Sequence, residues 1–382
     1  MKLKSLVLCG DEKIVRVLRR VLSDLEITMD SCIDAASAIR TLTRQRFEAV
    51  IVDCADERAA SQVLKSARLA PCNKRAIAVA IIDSQTAVRS AFELGAHFVL
   101  YKPISMERTK ASFRAARALM KRERRRNTRI PVQMPVTLVL EGSGSQQRIN
   151  TSSSDLGEGG VAIQLSRRLH NLGRLQVDFT LPGTQDAIAC AAEIAWENAG
   201  RQAGIRFLDL SAQARGQLKA WVSSHYPEAD ADDPPVHCKL TDLSLGGCYL
   251  EMASPFPVGT RVVLTMRMGQ LQVQVDGVVR VMHPEVGMGA EFIQKTTPQR
   301  EQVEKFIQAL MQSRGAVPDL LVEADGLEND GEAKSLLPET AVDDPLVALF
   351  RQKAELPVEA FLIELRRQRG STHEAPEPTF SV

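Results

Sequence analysis

The densest group of side chains that could bind a ligand is a basic run, KRERRRNTR, at positions 121–129. Six of these nine residues are Lys or Arg. An arginine binds a phosphate or the N7/O6 edge of a guanine through paired hydrogen bonds, and its planar head can stack on a purine. Three interpretations are open: a nucleotide site, a nucleic-acid patch, or the solvated basic end of a helix, where positive charge complements the helix dipole.

A glycine-rich turn, DLGEGG, follows at positions 155–160. The carboxylate of Asp155 can accept hydrogen bonds from guanine N–H groups, and Gly160 lets the backbone approach a base closely. No helix-turn-helix pattern or second basic surface accompanies the arginines, which argues against nucleic acid. The downstream turn therefore distinguishes this run from a plain basic helix end or a nucleic-acid patch.

Together these segments resemble the PilZ family, small six-stranded barrels that bind the bacterial second messenger cyclic di-GMP. The family signature is R-x-x-x-R in a loop before the first strand and [DN]-x-S-x-x-G between two later strands. Gly157 stands where the family has Ser, and one lost neutral hydrogen bond weakens binding by about 1 kcal/mol without abolishing it. The resemblance implies a ligand set of Arg124, Arg125, Arg126, Arg129, Asp155, Gly157 and Gly160.

A second copy of the same pattern follows. DLSLGG at 242–247 repeats the turn, and GAEF at 289–292 repeats GIRF at 204–207. This copy has the full D-x-S-x-x-G motif, but it has no Arg between 216 and 260 and is preceded by the acidic segment PEADADDPP. Acidic groups would repel phosphates, so we expect a structural turn without ligand, in a degenerate barrel that lacks a first strand. The turn residues concerned are Asp242, Ser244 and Gly247.

The N-terminal part resembles two-component receiver domains. Asp53 ends a buried strand, AVIVD, where that family has its phosphoacceptor, and the pair Lys102-Pro103 follows the last strand. The resemblance also implies accessory roles for Asp11, Glu12 and Lys102, with Mg²⁺ at the site and a histidine kinase as partner. The family's first metal-binding acid aligns with Gly10, its hydroxyl residue with Ile82 or Asp83, and its switch aromatic with Val99. These departures favour a pseudo-receiver used for docking or dimerisation and leave Mg²⁺ binding unsupported.

Periodicity predicts the fold class. Residues 3–122 alternate five apolar strand-like runs with amphipathic helical stretches, which is typical of a doubly wound parallel α/β sheet, as in flavodoxin-like receivers. From residue 130, short alternating strands separated by Gly, Pro and Asn predict an antiparallel barrel closed by a helix at 211–224. A similar series ending in a helix at 298–311 predicts the second, degenerate PilZ-type barrel.

The predicted domains are a receiver-like domain at 1–122, a PilZ domain at 123–225 and a second PilZ domain at 226–313. Residues 314–345 carry nine Asp or Glu and two Lys or Arg. We therefore expect an acidic linker at 314–344, followed by short C-terminal helices and a tail at 345–382. The helices could cover an open edge of the second barrel.

Composition excludes several classes of function. The net charge of +1 hides two segments of opposite charge. Residues 105–129 hold ten Lys or Arg and two Asp or Glu, and their positive charge offsets the negative charge of the acidic segment at 314–345. The seven cysteines form no C-x-x-C pair and the six histidines are scattered, so neither a disulfide framework nor a zinc site is expected. No apolar run is long enough to span a bilayer, and the N-terminus is not that of a signal peptide. A cytoplasmic protein without enzyme activity is expected.

The functional prediction is a cyclic di-GMP-binding signalling adaptor. Ligand would bridge the arginine segment and the barrel and so reorient the receiver-like domain, which an unidentified protein partner would sense. The alternative is a protein-interaction scaffold in which neither barrel binds nucleotide and Asp53 is the regulated residue.

Overall fold

The computed structural model of the chain divides into two compact units, one formed by residues 123–231 and the other by residues 2–122 together with 232–382. Each unit is described by itself. The structure describes residues 2–83, 88–126, 128–142, 145–165, 174–198, 200–225, 233–293, 297–313, 317–328, 344–352 and 358–371.

The N-terminal domain is a five-stranded parallel sheet with the strand order β2-β1-β3-β4-β5. Its two central strands, AVIVD and IAVAII, are apolar runs buried along nearly their whole length, as expected for strands covered by helices on both faces. The doubly wound prediction is confirmed. Its elements are β1 Leu3–Leu8, α1 Glu12–Asp24, β2 Ile27–Cys32, α2 Ala35–Arg44, β3 Ala49–Asp53, α3 Glu57–Leu69, β4 Ile77–Ile82, α4 Val88–Glu93, β5 Phe98–Tyr101 and α5 Met106–Arg126.

The first barrel closes through a ring of antiparallel pairs in the order β7-β8-β9-β12-β11-β10, with β10 returning to β7. Inward-facing apolar residues alternate with exposed ones along β11, and Trp221 of the closing helix packs into the same core. Its elements are β6 Ile130–Pro131, β7 Pro135–Gly142, β8 Ser145–Gly157, β9 Gly160–Gln164, β10 Arg174–Thr180, β11 Ala187–Glu197, β12 Gln202–Asp209 and α6 Ala212–His225.

The second barrel is closed, in the order β13-β14-β17-β16-β15-β18. Its elements are β13 Val236–Leu243, β14 Gly247–Glu251, β15 Thr260–Met268, β16 Leu271–His283, β17 Gly287–Phe292, α7 Thr297–Gln312 and β18 Asp319–Leu327. The C-terminal helices are α8 Pro345–Gln352 and α9 Val358–Ser371.

Residues 314–316 and 329–343 of the predicted acidic linker at 314–344 lie outside the described residues. Strand β18 corrects that prediction for residues 319–327, and it also corrects the prediction of a barrel with an open edge. It lies between β13 and β15 and pairs antiparallel with both, just as β7 lies between β8 and β10. The strand that the second copy lacks at its start is therefore supplied from beyond its closing helix. The acidic composition of this segment suggested a linker, but its residues alternate as in a strand. Leu320 and Val322 are buried in the barrel, and the positions between them face outward.

Helix α5 joins the receiver-like domain to the second barrel within their shared unit. Phe113, Leu119 and other residues of α5 belong to one continuous core with residues of the second barrel. Arg117 and Lys121 both bind Asp233, each at 2.9 Å. Further along the helix, Arg122 Nη2 donates to Asp325 Oδ1 of β18 at 2.5 Å. Lys121 and Arg122, the first two basic residues of the run at 121–129, therefore pair with carboxylates of their own unit.

No helix in the described part of the chain is long and apolar enough to cross a membrane.

Candidate functional site

The side chain of Arg129 lies against the DLGEGG turn of the first barrel. Its Nη1 donates to the carbonyl oxygen of Gly160 at 2.5 Å and lies 3.6 Å from Asp155 Oδ1. Partial burial lowers the pKa of Arg129 and the Asp155 carboxylate opposes that shift, but an arginine stays protonated at neutral pH. A cationic guanidinium and a carboxylate therefore lie side by side at this turn.

Two glycines of the turn make close backbone approaches. A Cβ on Gly160 would lie 2.1 Å from the Ile205 carbonyl oxygen, so β9 can pair here only without a side chain. A Cβ on Gly157 would lie 2.6 Å from the Thr128 carbonyl oxygen and 3.0 Å from Arg129 Cδ. Gly157, at the position of the family's serine, is therefore a steric requirement of this conformation. The sequence alone indicated only that a hydrogen bond is lost there.

Arginines 124–126 differ from the loop that the resemblance implies. All three belong to α5, which ends at Arg126, and Arg125 is only 8% exposed. The helix ends through Thr128, whose N–H donates to the Arg125 carbonyl oxygen and whose hydroxyl donates to that of Arg124. No glycine or proline interrupts KRERRR, so the helix continues through it. Arg129, the second arginine of the motif, contacts the turn through its hydrogen bond to Gly160.

The outer face of the barrel beside this turn carries residues that the sequence reasoning missed. Arg206 is the cross-strand neighbour of Gly160, and its Nε donates to Glu193 at 2.7 Å. Next to it, the indole of Trp196 packs against Gly204 and is 46% exposed. In GIRF the buried Ile205 and Phe207 alternate with these outward positions, and that alternation was the available signal.

The turn of the second barrel is held by its own hydrogen bonds. The hydroxyl oxygen of Ser244 accepts from the N–H groups of Gly246 and Gly247, at 3.3 and 3.1 Å. The Asp242 carboxylate accepts from the Leu243 N–H at 2.9 Å. These contacts fit the structural role expected for Asp242, Ser244 and Gly247. A new partner is Asp344, whose Oδ2 accepts from the Gly246 N–H at 2.8 Å.

In the receiver-like domain, Lys102 connects two carboxylates. Its Nζ lies 2.7 Å from Asp53 Oδ1 and 3.2 Å from Asp83 Oδ1. Burial alone would lower the pKa of Lys102, but the hydrogen bonds to both aspartates raise it. The thiol of Cys9 donates to Asp53 Oδ2 at 3.4 Å, and burial raises the pKa of that thiol to about 11. Asp53 and Lys102 therefore meet as the resemblance implies, with Asp83 as an additional acid.

The donors at this position do not fit Mg²⁺. The Asp11 carboxylate caps α1 by accepting from the N–H groups of Lys13 and Ile14. Glu12 is the exposed first residue of that helix, and Gly10 supplies no carboxylate. Among the described residues, no group of three or more His, Cys, Asp or Glu side chains could hold a metal ion.

One family model matches two segments of the chain. Residues 123–224 and 226–309 match the model of the PilZ domain. No curated protein matches the chain.

Several solved structures are similar to parts of the chain. A receiver domain of a sensor histidine kinase from Pseudomonas aeruginosa PAO1 is 18% identical, covers 31% of this chain and 98% of its own, and has a TM-score of 0.28. A chemotaxis response regulator of Vibrio cholerae is 18% identical, with coverages of 30% and 99% and a TM-score of 0.28. The PilZ domain of CeSA from a cellulose-synthesizing bacterium is 20% identical, with coverages of 26% and 97% and a TM-score of 0.21. At these identities the likeness concerns the fold alone.

Proposed function

We propose that this chain, in which two segments match the PilZ domain model behind a receiver-like domain, is a cytoplasmic, cyclic di-GMP-binding signalling adaptor rather than an enzyme. The observation that carries the proposal is the position of Arg129, whose guanidinium lies against the Asp155–Gly160 turn. We retain the predicted boundaries 1–122, 123–225 and a second domain from 226, now extended through β18.

The chemistry of the first barrel suits a cyclic dinucleotide. The Arg129 guanidinium offers paired donors to a phosphate or a guanine edge, and the Asp155 carboxylate accepts from guanine N–H groups. The indole of Trp196 lies over Gly204 of β12, and its exposed face can stack on a base. Arg124, Arg125 and Arg126 would bind the ligand together with Arg129, at a turn where Gly157 and Gly160 let backbone segments approach closely.

The route from ligand to output runs through α5. Ligand bridging of its last turn and the first barrel would change the angle at which the helix enters that barrel. The preceding turns are fixed to the second barrel by the pairs of Arg117, Lys121 and Arg122 with its acids. Reorientation would therefore move the receiver-like domain and the second barrel as one body and alter the surface offered to a protein partner.

The second candidate function is a scaffold that binds no nucleotide. It is favoured by the full pairing of Lys102 with Asp53 and Asp83, which suits a constitutive docking domain. In a phospho-dependent form of the scaffold, a histidine kinase would phosphorylate Asp53.

Isothermal titration calorimetry with cyclic di-GMP tests the proposal. We expect binding by the full chain and a loss of roughly tenfold to a hundredfold in affinity in Arg129→Ala, since a charge-assisted hydrogen bond contributes about 1.5–3 kcal/mol. Arg148→Ala is the matched control, because Arg148 is exposed on β8 and its loss changes the net charge equally. Equal affinity of Arg129→Ala and the control would reject the site, and no heat with the unaltered chain would favour the scaffold.

A further inference from the structure

The outer face of the second barrel holds a helix at the positions where the first barrel has its proposed nucleotide surface. The two faces correspond strand by strand: Gly247 pairs with Glu291 across β14 and β17, as Gly160 pairs with Arg206 across β9 and β12. Gly289 corresponds in the same way to Gly204. The question is what chemistry this second face recognises.

The aromatic ring of Phe350 lies on the two glycines of that face. A Cβ on Gly289 would be 2.6 Å from Phe350 Cε1, and a Cβ on Gly247 would be 3.4 Å from Phe350 Cε2. Phe350 is fully buried there in a cluster with Tyr249 and Phe361. Any side chain at Gly289 would displace the ring, so this glycine floor accommodates an aromatic group supplied by α8.

Polar contacts fix the same helix at both of its ends. Asp344 accepts from the N–H groups of Leu346 and Val347, which caps α8, and its other oxygen accepts from the Gly246 N–H of the turn. At the far end Arg351 donates to Glu291. Glu291 stands where the first barrel has Arg206, and it also accepts from Arg280 at 2.8 Å, so the acid and the base of the Arg206–Glu193 pair have exchanged positions here. An acid at this position suits a basic side chain such as that of Arg351.

We propose that the second barrel is a receptor for a helical peptide and that its ligand is the chain's own C-terminal segment, residues 344–371. The recognised features are an acidic N-cap that binds the turn, an aromatic residue on the glycine floor, and an arginine that pairs with Glu291. Helix α9 extends the contact through Phe361, whose ring lies 4.7 Å from that of His283. The inference rests on contacts of the second barrel and holds whether or not the first barrel binds cyclic di-GMP.

The test uses the full chain with a protease recognition sequence inserted between residues 336 and 337. After cleavage, size-exclusion chromatography should show the C-terminal fragment still bound. A synthetic peptide of residues 344–371 in excess should displace it. Displacement by a Phe350→Ala peptide should need at least a tenfold higher peptide concentration, because this peptide lacks the ring that packs on Gly289 and Gly247. An Ile363→Ala peptide is the control, since Ile363 is 64% exposed on α9, and it should compete like the unaltered peptide.

Three results would overturn the proposal: release of the fragment on cleavage with no rebinding, equal competition by the Phe350→Ala peptide, or displacement of the fragment by cyclic di-GMP. The last would make the face a nucleotide site covered by a helix. Failure of the first barrel to bind cyclic di-GMP would be seen separately, as the absence of heat with the uncleaved chain. It would leave the peptide result unaffected.

Discussion

Arg129 donates to the carbonyl oxygen of Gly160 at 2.5 Å, so the second arginine of the R-x-x-x-R motif contacts the DLGEGG turn. Such a contact holds the guanidinium close to where a phosphate or guanine edge would bind and lowers the entropy lost on binding. It also places the Thr128 carbonyl oxygen over Gly157. This close approach of the Thr128 carbonyl oxygen explains why the chain has a glycine at position 157.

Replacing Gly157 with the family's serine should destabilise the first barrel. The new Cβ would lie 2.6 Å from the Thr128 carbonyl oxygen, and overpacking of this kind costs about 1–3 kcal/mol. Gly159→Ser is the control, because no atom lies within 4 Å of a Cβ at Gly159. Both tryptophans of the sequence, Trp196 and Trp221, lie in the first barrel, so urea unfolding followed by tryptophan fluorescence reports on this unit. Equal midpoints for the two variants would contradict the prediction.

Cyclic di-GMP should quench the fluorescence of Trp196. The ring is 46% exposed beside Gly204 on the proposed ligand face, whereas Trp221 is 5% exposed. Trp196→Phe should abolish the quenching and keep most of the affinity, because phenylalanine can also stack, while Trp196→Ala should lower affinity by about 1–3 kcal/mol. Quenching that persists in Trp196→Phe would place the ligand elsewhere.

Mg²⁺ should leave the thermal unfolding temperature of the chain unchanged. Gly10→Asp should create a response, because it adds a carboxylate next to Asp11, and no atom lies within 4 Å of a Cβ at Gly10. Gly216→Asp, on the exposed surface of α6, controls for the added charge. Scanning fluorimetry across a range of Mg²⁺ concentrations measures the shift. A shift in the unaltered chain would show that its donors do bind the metal.

Asp325→Ala should destabilise the unit that contains the second barrel. The carboxylate faces Arg122, whose side chain is 6% exposed, and loss of one partner of a buried pair costs about 3 kcal/mol or more. Asp319→Ala on the same strand is the control, since its side chain is 50% exposed, and it should change stability by less than about 1 kcal/mol. Scanning calorimetry of both variants makes the comparison, and similar unfolding temperatures would contradict a structural role for Asp325.

Acidification should destabilise the receiver-like domain through His97. Burial lowers the pKa of His97 to about 3, with a contribution from Arg68, and Nδ1 accepts from the Ala78 N–H. The unfolded chain takes up a proton near pH 6.5 and the folded chain does not, so this stability is complete above pH 6.5 and falls as the pH drops toward 3. The loss at pH 5 is about 2 kcal/mol.

His97→Asn should flatten that dependence, because the asparagine oxygen can accept from the Ala78 N–H without titrating. His225→Asn, at the exposed end of α6, should leave it unchanged. Urea unfolding by far-UV circular dichroism between pH 7 and 5 gives the slopes, and equal slopes for the two variants would contradict the assignment to His97. Burial also lowers the pKa of His283, to about 4, so part of the slope should persist.

The sequence by itself determined the local elements and the motif that they present. Strand AVIVD is apolar throughout because both of its faces are covered, and GIRF alternates because only one face is, so both patterns can be recognised without coordinates. The sequence also revealed the turn at Asp155–Gly160, because its motif is a short continuous stretch. It revealed Asp53 and Lys102 because each lies at the end of a recognisable strand.

Only the tertiary structure decided which distant segments meet. Strand β18 completes the second barrel although its acidic composition suggests a linker, because strand pairing depends on backbone hydrogen bonds and on which side chains face inward, and net charge on the outer face does not prevent it. The pairing of Arg122 with Asp325 and the seat of Phe350 on Gly289 join residues far apart in the chain. No local pattern encodes such neighbours, since periodicity specifies which face of an element is buried and not what covers it.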